Sequence, residues 1–296
     1  MKDEGRAALI AGTLCYTLWG VFPLYMHALA RQGVGPFEIT AERAAWAVVW
    51  AGALVFAAGR RAELARVLRE PRTLGLLALS ALLISINWLL YVIAVNTGRT
   101  LEASLGYYIN PLLNMAAGGL VFRERIDRFG LAAIGLAGVG VALQTAAVGH
   151  PPLLSLGLAL SFCGYGLVRK VVRADAQTGL FVETLFLALP ALGYVLWLQG
   201  RGLGHFGAGA WTTFLLVCAG PLTIVPLALF AWAARRIPLI WLGFLQFIAP
   251  TLQFVVGVLA GEPLTPLRAA AFAAIWTGVA VFALGAWRGA RRLAAA

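Results

Sequence analysis

Three ionisable residues, Arg43, Glu102 and Glu183, stand within or at the ends of long apolar stretches of a 296-residue chain. A charge there is costly, and it is kept only where it faces a partner or a pathway. A carboxyl group in such a place can take a proton in one conformation and give it up in another, which makes Glu102 and Glu183 candidates for proton coupling. Arg43 is the candidate to lock one of the glutamates in an ion pair. A static ion pair or a side chain snorkelling to an interface stays open for each of the three.

Uncharged polar and aromatic side chains gather on the same stretches. Asn87, Trp88 and Tyr91 lie together on one, and Asn87 and Tyr91 are spaced four apart, so they share a helix face. Tyr107, Asn110 and Asn114 line a face of the next, while Gln246 and Gln253 lie two turns apart near the carboxyl end. Pro111 and Pro250 interrupt these helices, and a proline there lacks the N–H that would bond the carbonyl four residues back. Pro111 should therefore free the carbonyl of Tyr107, and Pro250 that of Gln246. In lipid such carbonyls must face protein or a wet cavity. Asn87, Trp88, Tyr91, Tyr107, Asn110, Pro111, Asn114, Gln246 and Pro250 are accordingly the expected contacts to a small molecule. Bonding between helices is the plainer reading of any one of these amides or phenols.

The elements that must hold these residues follow from composition. The chain is 61% hydrophobic and 12% charged, with a mean hydropathy of +0.86, against about a quarter charged in an ordinary soluble domain. Its environment is the lipid bilayer. Apolar stretches run near 7–26, 37–58, 74–95, 101–122, 129–147, 153–168, 179–199, 211–233, 239–260 and 267–287, most of them close to the ~20 residues a helix needs to cross a hydrocarbon core. The expected fold is an all-α integral membrane protein of ten transmembrane helices. Of the 23 Lys and Arg, 18 fall at the termini and in connections on one side, four on the other, and Arg43 lies inside a span. That bias sets both termini in the cytoplasm. It also accounts for the net charge of +11 without nucleic acid as a partner.

Pro111 and Pro250 are 139 residues apart, and Gly20 with Gly164, Glu42 with Glu183 and Glu124 with Glu262 recur at similar offsets. The spacing predicts a duplication, with residues 1–147 and 148–296 as five-helix repeats. Five is odd, so the second repeat enters the membrane from the opposite side. Inverted repeats around a midplane site are a common build of secondary transporters, and they also occur in channels.

Other classes find less support. No phosphate-binding Gly-x-x-x-x-Gly-Lys-Ser/Thr loop is present, and the lysines are Lys2 and Lys170, so ATP does not drive the chain by itself. His27, His150 and His205 are far apart and form no catalytic or metal-binding pattern, and Cys15, Cys163 and Cys218 lack metal-ligand spacing. No cofactor is expected, and a membrane-embedded enzyme is the weakest alternative. Gly257 and Gly261 spell Gly-x-x-x-Gly, compatible with a dimer seam or with packing inside one chain, so the oligomeric state stays open. The first apolar stretch, preceded by Lys2 and Arg6, is long for a cleaved signal and is read as the first helix.

The strings Asn87-Trp88-Leu89-Leu90-Tyr91, Ala94-Val95-Asn96, Leu101 to Tyr107, Ile109-Asn110-Pro111-Leu112, Tyr165 to Lys170 and Gln177-Thr178-Gly179 closely resemble the RarD family, of the EamA branch of the drug/metabolite transporter superfamily. The resemblance runs end to end. It implies a ten-helix permease of the bacterial inner membrane built from two five-helix EamA repeats. Such proteins are often labelled for chloramphenicol sensitivity, and the wider superfamily exports amino acids and other metabolites. Arg43 matches the arginine of the family's Glu-x-x-x-x-Arg-x-x-Trp pattern, here Glu38, Arg43 and Trp46. Glu42 departs from the histidine of many relatives, which puts a proton-relay role for it in doubt.

Overall fold

A computed structural model describes residues 2–121, 127–149, 151–234, 236–237 and 245–295. These residues form eleven α-helices: α1 (Lys2–Ala30), α2 (Pro36–Ala57), α3 (Arg61–Leu68), α4 (Pro71–Asn96), α5 (Thr100–Val121), α6 (Arg128–Val148), α7 (Leu153–Val171), α8 (Ala176–Gly200), α9 (Ala210–Ala234), α10 (Ile248–Leu259) and α11 (Pro266–Ala295). Eight of them, α1, α2, α4, α6, α7, α8, α9 and α11, are long and apolar enough to cross a membrane. Ten such helices were expected. Of the other two, α5 breaks its apolar run with Glu102, Asn110 and Asn114, and α10 is a shorter apolar helix of 12 residues. Much of the first half of the ninth expected span, 239–260, lies outside the described residues, as do Glu124 and His150.

Local chemistry sets the helix ends. Pro36 and Pro71 open α2 and α4, where the missing N–H costs nothing because no intrahelical partner exists there. Asp127 and Asp175 cap α6 and α8, each accepting from a backbone N–H at 2.8 Å. The connection after α2 forms the short helix α3. Its Arg66 pairs with Glu63 at 2.7 Å and Glu70 at 3.1 Å, and donates to the Arg173 carbonyl at 2.6 Å.

The packing has a regular pattern. Leaving α3 aside, α2 packs on α8, α5 on α10 and α6 on α11; α4 packs on α7 as α1 does on α9; α5 packs on α7 as α1 does on α10; α2 packs on α9 as α4 does on α8. Exchanging each helix of the first five with its counterpart in the second five maps these nine pairs onto one another; α5 on α11, and the pairs α1–α4, α2–α4, α4–α5 and α5–α6 within the first five, have no such counterpart among the described residues. The α2/α8 pair is antiparallel: Glu38 meets His205 at one end, Gly52 meets Phe181 further along, and Arg60 approaches Asp175 to 3.9 Å at the other. In α6 and α11, Gly140, Gly278 and Gly285 sit where an added Cβ would press on Ile275, the Ala133 carbonyl and Phe129. Those glycines let the two helices approach closely.

Gly257 packs on Leu101 of the same chain, and Gly261 lies past the end of α10 with φ +86°. The Gly-x-x-x-Gly spacing is therefore not a continuous helical seam.

Candidate functional site

Arg43 lies seven positions after Pro36 on α2, about 10 Å along the helix from that end, and is only 6% exposed. Its guanidinium stacks between two rings, with Cζ 4.2 Å from the Trp88 centroid on α4 and 4.9 Å from that of Phe22 on α1. Nε donates to the Thr223 hydroxyl of α9 at 2.8 Å, and this is its one hydrogen bond among the described residues. The expected ion pair with a glutamate is not formed. Glu42 is turned to Trp46, whose indole N–H donates to it at 3.1 Å, while Glu102 and Glu183 pair with other arginines. Adjacent residues on a helix point about 100° apart, so Glu42 and Arg43 cannot share a face.

Phenols surround the guanidinium. Tyr25 and Tyr91 stack near Phe22, with centroids 5.4 and 6.2 Å away, and Tyr107 lies 5.8 Å from Tyr91. Tyr107 donates to the Asn87 carbonyl oxygen at 3.1 Å, and Asn87 Nδ2 donates to the Leu158 carbonyl at 2.9 Å and to Ser161 at 3.2 Å on α7. Tyr25 donates to the Leu215 carbonyl at 2.7 Å. The Tyr91 hydroxyl, by contrast, is buried and has no hydrogen-bond partner among the described residues. An unpaired polar group of that kind is expensive unless something else satisfies it.

Asn87, Trp88, Tyr91 and Tyr107 are thus brought together around Arg43. The remaining expected contacts are not. Asn110 is buried with its Oδ1 unpaired, Pro111 is half-buried within α5, and Asn114 is exposed. Pro250 is the third residue of α10, whose N-cap is Phe247. At a helix start its missing N–H frees no carbonyl, so the break expected at Gln246 does not exist in that form; Gln246 lies in the turn before α10. The Pro250 carbonyl instead accepts from Ser104 of α5 at 2.7 Å.

The two glutamates occupy different settings. Glu102 is held by Arg99 through two bonds of 3.0 and 2.7 Å at the start of α5. Glu183 is 1% exposed and lies seven positions after Ala176 on α8. It accepts from Ser80 of α4 at 2.5 Å, and from Tyr165 and Arg169 of α7 at 3.3 Å each. Arg169 runs over Gly179, which leaves no room for a Cβ.

Thr223, Ser80, Phe22, Tyr25, Tyr165 and Arg169 were not expected at these sites. A signal for two of them was present, because Ser80 and Thr223 are 143 residues apart, close to the repeat offset.

Residues 6–146 match the EamA-like transporter family. A RarD protein of Streptomyces exfoliatus is 42% identical over 98% of this chain and 92% of its own. The chain belongs to the RarD family. An uncharacterised transporter of Pseudomonas aeruginosa is 43% identical, covering 97% of both chains, and a solved crystal structure at 23% identity shares the fold, with a TM-score of 0.62 over 96% of this chain and 98% of that one. As a RarD-family member of the drug/metabolite transporter superfamily, the chain is a multi-pass transporter of the bacterial inner membrane. Its surroundings are the bilayer and a small-molecule substrate, and the similarity points to transport and not to enzymatic chemistry.

Proposed function

We propose that the chain is a secondary transporter that carries a small metabolite or drug-like compound out of the cell by alternating access between two inverted repeats, residues 1–147 and 148–296. The observation that carries this reading is the helix pairing between the two sets of five, which, apart from α5 on α11, returns to itself when the sets are exchanged. Most pairings join one set to the other, so rocking one set against the other would open the molecule on one side and close it on the other. The outward direction, and amino acids or related metabolites as cargo, rest on the resemblance to the wider superfamily.

Glu183 is the better of the two candidates for coupling to protons. Its carboxylate touches α4 and α7 through Ser80, Tyr165 and Arg169, and those helices belong to different repeats. Its surroundings would change as the repeats move. Glu102 is clamped by the arginine three residues before it, an arrangement that travels with α5 in either state.

Reconstitution in liposomes tests the reading. Purified protein should show saturable counterflow of a preloaded compound, and Glu183→Gln should remove the pH dependence of net uptake while leaving exchange in place. Conductance without exchange would replace the carrier with a channel.

A further inference from the structure

We infer that Arg43 recognises a single negative charge on the transported molecule, a carboxylate, with the Tyr91 hydroxyl as a second donor beside it. This rests on the transporter reading above.

A guanidinium stays protonated in a protein, so α2 carries a full positive charge among apolar and aromatic neighbours. No carboxylate oxygen lies within 4.0 Å of it among the described residues. Trp88 and Phe22 offset part of the cost through their ring faces, and Thr223 takes Nε. The two terminal nitrogens have no hydrogen-bond partner among the described residues. A planar fork with its stem nitrogen pinned and both outer nitrogens free is the geometry that accepts two oxygens of one anion.

The charge count favours a monoanion. Arg43 is the one cation in the described aromatic cluster of Phe22, Tyr25, Trp88, Tyr91 and Tyr107. Glu42, the nearest acid in sequence, is occupied with Trp46 and would disfavour a second negative charge. Tyr91 is 3% exposed, and its ring stacks on Phe22 beside the guanidinium; a bound carboxylate would satisfy a hydroxyl that the protein leaves unpaired. A static structural arginine would show the opposite arrangement, with its fork filled by carbonyls or acids.

The test uses the full chain in detergent with seven probes: the carboxylates pyruvate, isovalerate and benzoate, their neutral counterparts methyl pyruvate, isovaleramide and benzamide, and glucose 6-phosphate as a dianion. At least one carboxylate should raise the melting temperature while its counterpart does not. Arg43→Gln should abolish that increment without lowering the unliganded melting temperature, Arg43→Lys should weaken binding about 10- to 100-fold, and Tyr91→Phe should weaken it several-fold. If Arg43→Gln does not fold, the Arg43→Lys and Tyr91→Phe affinities decide. Equal shifts with neutral counterparts, a shift with glucose 6-phosphate alone, no shift with any probe, or carboxylate binding untouched by the substitutions would each overturn the assignment. Counterflow with the same probes separates the two readings: exchange of neutral compounds insensitive to Arg43→Gln sinks this one and keeps the carrier, whereas carboxylate binding without exchange keeps this one and sinks the carrier.

Discussion

Arg43 of α2 donates to the hydroxyl of Thr223 on α9 at 2.8 Å, across 180 residues of sequence. Its counterpart is the bond from Ser80 of α4 to Glu183 of α8 at 2.5 Å. Exchange the two sets of five helices and α2 with α9 becomes α8 with α4. Both ionisable groups lie seven positions into their helices, and because α2 and α8 run antiparallel they sit toward opposite ends of the pair. Arg43 and Glu183 are thus each oriented by a hydroxyl of a neighbouring helix, at opposite ends of the α2/α8 pair.

Thr223 is therefore a positioning residue for Arg43. Thr223→Val keeps the shape but removes the acceptor, and should weaken carboxylate binding about tenfold, the size of a hydrogen bond to a charged group. Thr223→Ser should restore most of it. An equal loss in both variants would indicate a packing role instead, and titration by thermal shift reads the difference.

Gly106 of α5 lies where an added Cβ would meet the Ser155 carbonyl of α7 at 2.7 Å. Backbone cannot move aside as a side chain can. Gly106→Ala should cost about 1–3 kcal/mol and lower the melting temperature, whereas Gly135→Ala, which meets nothing within 4 Å, should leave it unchanged.

The all-helical, membrane-spanning character was legible in the sequence, because apolar length is a property of continuous segments. Asn87, Trp88, Tyr91 and Tyr107 were legible for the same reason, being polar or aromatic residues on neighbouring apolar helices. Thr223 is marked only by its spacing from Ser80, since a lone threonine in an apolar helix usually bonds its own backbone, and here it also donates to the Ala219 carbonyl at 2.8 Å. The partner of Arg43 depends on which helix faces it, a fact that hydropathy does not carry. Pro250 misled because a proline looks the same in sequence at a helix start and in its middle.

Glu63 on α3 supplies a pH dependence outside the spans. The bonds from Arg66 hold its carboxyl below the usual range. A depressed folded-state value stabilises above the unfolded value and is lost as pH falls through the folded one. Glu63→Gln should lower the melting temperature slightly at neutral pH, with the difference shrinking below about pH 4.3 and in high salt. A difference growing on acidification would reverse the sign.

Glu262, in the connection before α11, accepts from the Thr100 and Leu101 amides of α5 at 2.6 and 2.9 Å. It caps a helix from the other half of the chain, and a carboxylate suits the positive end of a helix. Glu262→Ala should cost about 1–2 kcal/mol, and Glu262→Gln, which keeps one acceptor oxygen, roughly half of that, both read by thermal melting.

The orientation of Arg43 and Glu183 in the membrane follows from where the cations lie. Arg60, Arg61, Arg66 and Arg69 cluster beyond the Ala57 end of α2, whereas Arg31 precedes its Pro36 end and Arg201 follows the adjacent end of α8. The positive-inside rule predicts that the Pro36 end faces outward, with Arg43 in the outer half of the membrane and Glu183 in the inner half. In a background with Cys15, Cys163 and Cys218 replaced by alanine, an impermeant maleimide added to whole cells should label Gln32→Cys and spare Ala65→Cys, both exposed positions. Disrupting the cells should expose the second site. The reverse pattern would place the arginine toward the cytoplasm, where it would meet substrate first during export.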